Sequence, residues 1–141
     1  MDVSQLYTYV SVLIFVPWAL LLFAPRWRYT AMVAFLSALV LSLLAAYFTY
    51  LFLTDGAREG HLLSAEGLKN LFRHPAMLMT GWFNYLSFSL LIGIWQVHDA
   101  RAKRLPHWLV VPTLLLTLLG GPVGALVYSV LRFFRTGKWQ V

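Results

Sequence analysis

The stretch Tyr29–Leu53, YTAMVAFLSALVLSLLAAYFTYLFL, runs for 25 residues without one charged side chain. A helix needs about 20 apolar residues to cross a bilayer core about 30 Å thick, so this stretch alone points to a membrane protein. Within it Ala34, Ala38, Ser42 and Ala46 recur at every fourth position. Such a stripe of small side chains lets a second helix approach closely, and it is expected to face protein and not lipid.

Three further apolar runs lie on either side, over about 6–24, 76–98 and 108–134. The predicted fold is therefore all-α, a single membrane domain over 1–141 built from four transmembrane helices. In the first run Pro17 predicts a kink. Pro25 stops that helix, and Arg26, Trp27, Arg28 and Tyr29 make a basic and aromatic interface belt. The opening Met-Asp-Val-Ser-Gln lacks the basic region of a secretory signal, and no small-residue cleavage site follows the first run, so this span is expected to stay in the mature chain.

Between the second and third runs the composition turns polar, with Asp55, Gly56, Arg58, Glu59, Gly60 and His61 followed by leucines at helical spacing. Ser64 is placed to cap a short interfacial helix starting at Ala65. The connection Asp99–His107 reads as a short basic turn, and Gly120-Gly121-Pro122 with Gly124 combines a close small-residue contact with a proline bend. With four spans the short turns hold Arg26, Arg28, Arg101, Lys103 and Arg104, and the opposite side holds Arg58, Lys69, Arg73, Arg132, Arg135 and Lys138. Closeness to the membrane favours the short turns as the cytoplasmic side.

Of the 141 residues 60% are hydrophobic and 11% charged, against about a quarter charged in soluble domains, which argues against a soluble enzyme. The net charge of +6 comes from residues flanking the apolar runs. Membrane lipid is the partner this implies, and nucleic acid is not. The absence of cysteine excludes disulfides, thiolate metal sites and cysteine nucleophiles.

The third run is the most polar. At about 100° per residue, Asn84, Ser87, Leu91, Trp95 and His98 share one face, while Tyr85, Ser89, Gly93 and Gln96 line the next. Trp82, Asn84, Tyr85, Ser89, Gly93 and Trp95 are thus candidates for the wall of a pocket that takes a long apolar ligand with polar ends. The competing reading is that Asn84, Ser87 and Ser89 only hydrogen-bond across the bundle and the tryptophans only pack or anchor. Tyr85, His98 and Asp99 are the candidates for proton transfer. His98 also suits an axial ligand of a porphyrin-like pigment, or a plain interfacial histidine, and Asp99 is expected to pair locally with the basic turn. His61, His74 and His107 fall in connections without metal-motif spacing, so no metal site is assigned. There is no nucleotide loop, nucleophile elbow or carboxylate pair deep in a span.

Three stretches, FVPWALLLFAPRW (15–27), GWFNYLSFSLLIGIW (81–95) followed by Asp99, and PTLLLT (112–117) with GPVG (121–124), together resemble the abscisic-acid-deficient-four-like family. The resemblance implies a four-helix membrane protein related to neoxanthin synthases, which open the epoxide of violaxanthin to an allenic alcohol without net redox change. The family's third helix typically reads Trp-x-His-Tyr-Leu-Ala-Phe-Asp-Leu-Phe-x-Gly-Arg-Trp. Here its histidine, aspartate and arginine positions hold Asn84, Ser89 and Ile94. Asparagine and serine can hydrogen-bond an epoxide but do not readily exchange protons near neutral pH. Two functions follow. One is an intramolecular isomerase of a xanthophyll epoxide that requires no cofactor. The other is a non-catalytic subunit that binds carotenoid or chlorophyll-type pigment, or packs in a larger photosynthetic or respiratory complex. The setting implied is a bacterial inner membrane or a photosynthetic membrane.

Overall fold

The computed structural model describes residues 2–56 and 60–138; Arg58 and Glu59 of the polar connection lie outside the described residues. The described chain is all-helical: α1 (Val3–Phe23), α2 (Thr30–Thr54), α3 (Ala65–Arg73), α4 (Pro75–Ala102), α5 (His107–Gly120) and α6 (Pro122–Thr136). Three of these, α1, α2 and α4, are long and apolar enough to cross a membrane. Helix α1 continues through Pro17. The short helix α3 begins where its cap predicts, with Ser64 Oγ accepting from Gly67 N at 3.0 Å.

Antiparallel α2 and α4 form the most extensive interface. The buried line on α2 is Ala34, Ala38, Leu41, Ala45 and Phe48, not the strict four-residue stripe, and Ser42 and Ala46 are exposed. The reason is geometric. Four residues advance about 400° around a helix, so each step drifts about 40° sideways, whereas alternating steps of four and three hold a straight seam. Hydroxyls supply the polar contacts along this seam. Ser87 donates to Ala38 O at 2.9 Å, Ser42 and Ser87 share a hydrogen bond of 2.8 Å, and Thr80 lies 3.4 Å from Thr49. Lipid tails are as apolar as leucine, so close packing and such bonds, about 0.6 kcal/mol each, hold the helices together where the hydrophobic effect does not.

Helix α1 packs against both α2 and α4. Trp18 and Leu21 are buried there over Gly93, where an added Cβ would stand 3.2 Å from each side chain. A leucine at position 93 would push α1 away.

The run expected as one fourth span over 108–134 is two helices. At Gly121 the backbone takes φ 53° and ψ −108°, a conformation that favours glycine, and Pro122 follows as the first residue of α6. Gly121 lies against Tyr85 and Ser89. Arg132, 11 positions later, reaches Asp99 at 3.1 Å, 10 positions along α4 from Ser89. Helix α6 therefore runs back beside α5 and parallel to α4, and the two helices form a hairpin. Each arm, 14 and 15 residues, is about 21–23 Å long, short of the roughly 30 Å core. Gly121 itself is buried against protein, the condition under which irregular backbone is tolerated at membrane depth.

The hairpin depends on Gly124, where an added Cβ would overlap the backbone and hydroxyl of Thr117. Gly124→Ala should destabilise the detergent-solubilised protein by about 1–3 kcal/mol. Gly120→Ala, whose Cβ would meet Val123 at an ordinary 3.4 Å, should stay within about 0.5 kcal/mol. Thermal unfolding of the two variants checks both.

Candidate functional site

The polar residues of α4 diverge once the helices are in place. Positions 84 and 89 are five residues apart, about 140° around the helix, and they enter different surroundings. Asn84 is exposed and borders a groove of about 450 Å3 against Ser42, Thr49 and Tyr50 of α2. Ser89 is 1% exposed and donates to Tyr85 O at 2.8 Å, beside the turn of the hairpin. Ile94, at the family's arginine position, borders a third place, a cavity of about 200 Å3 near the α1–α2 turn.

Tyr85 donates its hydroxyl to Leu118 O at 2.9 Å, a carbonyl in the last turn of α5. Trp82 stacks on Tyr85 at 5.8 Å and meets Tyr7 of α1 at 6.2 Å, so this aromatic trio joins α1, α4 and the hairpin. Gly93 is occupied as the packing site for Trp18 and Leu21. His98 is exposed and lines the 200 Å3 cavity with Arg26, Arg28 and Arg101. Of the expected wall, Trp82, Tyr85 and Ser89 stand together; Asn84, Gly93 and Trp95 each lie elsewhere.

Asp99 and Trp95 belong to a constellation that reading the third run alone does not reveal. Asp99 Oδ2 accepts from Tyr128 Oη at 2.7 Å, and Arg132 Nη1 donates to Oδ1 and Oδ2 at 3.1 and 3.2 Å. The Trp95 ring meets Tyr128 edge-on at 5.3 Å, with the Arg132 guanidinium 6.0 Å from its centroid. Tyr128 is 0% exposed and Arg132 4%. The expected local pairing of Asp99 with the basic turn is confined to Lys103, at 4.0 Å, while Arg101 donates to Pro25 O at 3.3 Å. Gly124, Tyr128 and Arg132 at four-residue spacing were the signal available in the sequence. Its meaning required knowing that the run folds back.

Chemically the cluster joins a carboxylate, a phenolic proton donor and a fixed cation. Arg132 Nε is buried without a partner. Among the described residues no three metal-ligating side chains converge. A second feature is an apolar groove of about 370 Å3 between α1 and α2, bordered by Leu13, Pro17, Val33, Leu36, Val40 and Leu44 among others.

Removing one member of a buried ion pair strands the other. Asp99→Asn or Arg132→Met should each lower stability by about 3–5 kcal/mol, and Tyr128→Phe by about 1 kcal/mol. The double variant Asp99→Asn/Arg132→Met should lose less than the sum of the two singles. Denaturation in one detergent measures the coupling, and additive losses would mean the pair is not energetically joined.

No curated protein and no solved structure matches the chain. The family model ABA4-like, described as ABA DEFICIENT 4-like, matches residues 5–128. The match takes in α1 to α5 and the first half of α6, up to Tyr128, and stops four positions before Arg132. With that much of the chain matched, it belongs to the ABA4-like family.

Proposed function

We propose that the protein binds a xanthophyll-class carotenoid in the membrane and opens its epoxide to an allenic alcohol, the neoxanthin-synthase-like chemistry associated with its family. The observation that carries the catalytic part is the 2.7 Å hydrogen bond between Tyr128 and Asp99. It pairs a proton donor with a carboxylate base inside the helix bundle.

The isomerisation requires removal of a vinylic proton beside the epoxide carbon. The released electron pair becomes the second double bond of the allene, the adjacent C–O bond breaks, and the oxygen takes up a proton. Asp99 is the base and Tyr128 the donor in this reading. Proton return along their hydrogen bond restores both groups, so no co-reactant is consumed. Arg132 holds the carboxylate in place. The apolar α1–α2 groove suits a rigid hydrocarbon chain, although it is lined by α1 and α2 alone and shares no residue with the Asp99–Tyr128 pair.

A second reading, stable pigment binding without turnover, is favoured by one observation. Asp99 is already engaged by Tyr128 and Arg132, while Asn84, Ser89 and Ile94 offer no ionisable group. Such a protein would serve as a small subunit of a larger membrane complex.

Purified protein in liposomes given violaxanthin, followed by pigment chromatography, separates the readings. Conversion to an allenic product is expected, with Asp99→Asn slowing it about 10²–10⁴-fold while carotenoid remains bound. Bound but unconverted carotenoid would replace the isomerase by the pigment subunit. Failure to retain any carotenoid would refute both.

A further inference from the structure

The α1–α2 and α4–α5 turns sit side by side at one end of the bundle, tied by Arg101 Nη1 donating to Pro25 O at 3.3 Å and by a His107 ring nitrogen 2.7 Å from Leu22 O. Between them is a cleft of about 430 Å3. Its rim carries Arg26, Arg101, Arg104 and His107, and its floor is apolar, formed by Val97 and Val110. The smaller cavity bordered by Arg28 and His98 shares Arg26 and Arg101 with it.

No ion pair to a described carboxylate neutralises this rim. Of the described carboxylates, Asp2, Asp55 and Glu66 lie at the opposite end of the bundle, at the start of α1, the end of α2 and in α3. Asp99 is taken by Tyr128 and Arg132. Arg104 is also the one described non-glycine residue with positive φ, at 54°. Glycine or asparagine adopts that conformation more readily, and an arginine there adds a guanidinium to the cleft's rim at a conformational cost. Guanidinium groups match phosphate oxygens with forked, charge-assisted hydrogen bonds.

We propose that this cleft binds the phosphate headgroup of one anionic phospholipid. The apolar floor of Val97 and Val110 selects an amphiphile whose chains pass down into the bilayer. A diffuse attraction between basic residues and anionic lipid would be shared by every cation at this end; a built site would not.

The full chain is placed in nanodiscs of phosphatidylcholine with a minor fraction of phosphatidylglycerol, and retained lipid is counted after extraction by native mass spectrometry. One phosphatidylglycerol per chain is expected. Arg101→Gln/Arg104→Gln should weaken retention at least about tenfold, as the loss of charge-assisted hydrogen bonds implies. Arg135→Gln/Lys138→Gln, which removes equal charge from the end of α6 outside the cleft, should leave it unchanged. Equal weakening by both pairs would overturn the proposal in favour of diffuse attraction. Full displacement by inorganic phosphate would overturn the lipid as source and leave a free-phosphate site. Should the glutamine pair melt early in pure phosphatidylcholine, Arg101→Lys/Arg104→Lys keeps the charge and loses the fork. Weaker retention by this pair supports the site, and undiminished retention contradicts it.

Discussion

A guanidinium on an apolar helix has few options. At the centre of a bilayer it costs about 2.5–3.5 kcal/mol even on lenient scales, and the cost falls when a carboxylate and aromatic surface receive it. Arg132 is buried against Asp99, Tyr128 and Trp95, and the path of the last third of the chain is consistent with that demand. Helix α5 climbs along α4, the chain reverses at Gly121, and α6 descends until position 132 is level with position 99. Tyr85 braces the top of this hairpin through Leu118 O, and Gly124 lets its two arms touch. One ion pair and two glycines thus position the donor and base that the proposed chemistry uses.

The bundle is polarised along its length. One end gathers the arginines of two tied turns above an apolar floor; the other gathers Asp2, Asp55, Glu66 and the amphipathic α3. That helix is anchored by its Ser64 cap and by the buried Leu71, while His74 bonds Asp55 at 2.8 Å and so ties the end of α2 to the start of α4. Between the ends, α4 is buried along two stripes, one against α2 and the other against α1 and α5. This double burial explains why the third run is at once the most polar and the most central. Its hydroxyls face protein on either side.

Much of this architecture was legible from residues alone. Uncharged runs located α1, α2 and α4 to within a few residues, and Ser64 located α3. Small residues on α2 identified the face toward α4, although the straight seam takes Ala45 and not Ala46. The hairpin was not legible, because Gly-Gly-Pro within an apolar run is equally compatible with a bend in one long span. What decides it is the partnership of Asp99 with Arg132 across 33 positions, which no local pattern contains. The polar residues of α4 disperse among different neighbours for a related reason. Helical spacing groups residues by angle, whereas Asn84, Ser89 and Gly93 are separated by which neighbour arrives at each angle.

The reversal at Gly121 also changes how the chain sits in a bilayer. With three crossings and a hairpin, Arg135 and Lys138 join Arg26, Arg28, Arg101, Lys103 and Arg104 at one end, leaving Lys69 and Arg73 as the described cations of the other. A nearly even division under four spans becomes a pronounced asymmetry, for which the positive-inside rule predicts a cytoplasmic basic end. The chain has no cysteine, so single cysteines report sidedness without background. Ser4→Cys and Lys138→Cys, each probed with a membrane-impermeant maleimide on sealed vesicles of known orientation, should label from opposite sides of the membrane. Labelling of both from the same side would mean the last run crosses completely, and would contradict the hairpin on which this account rests.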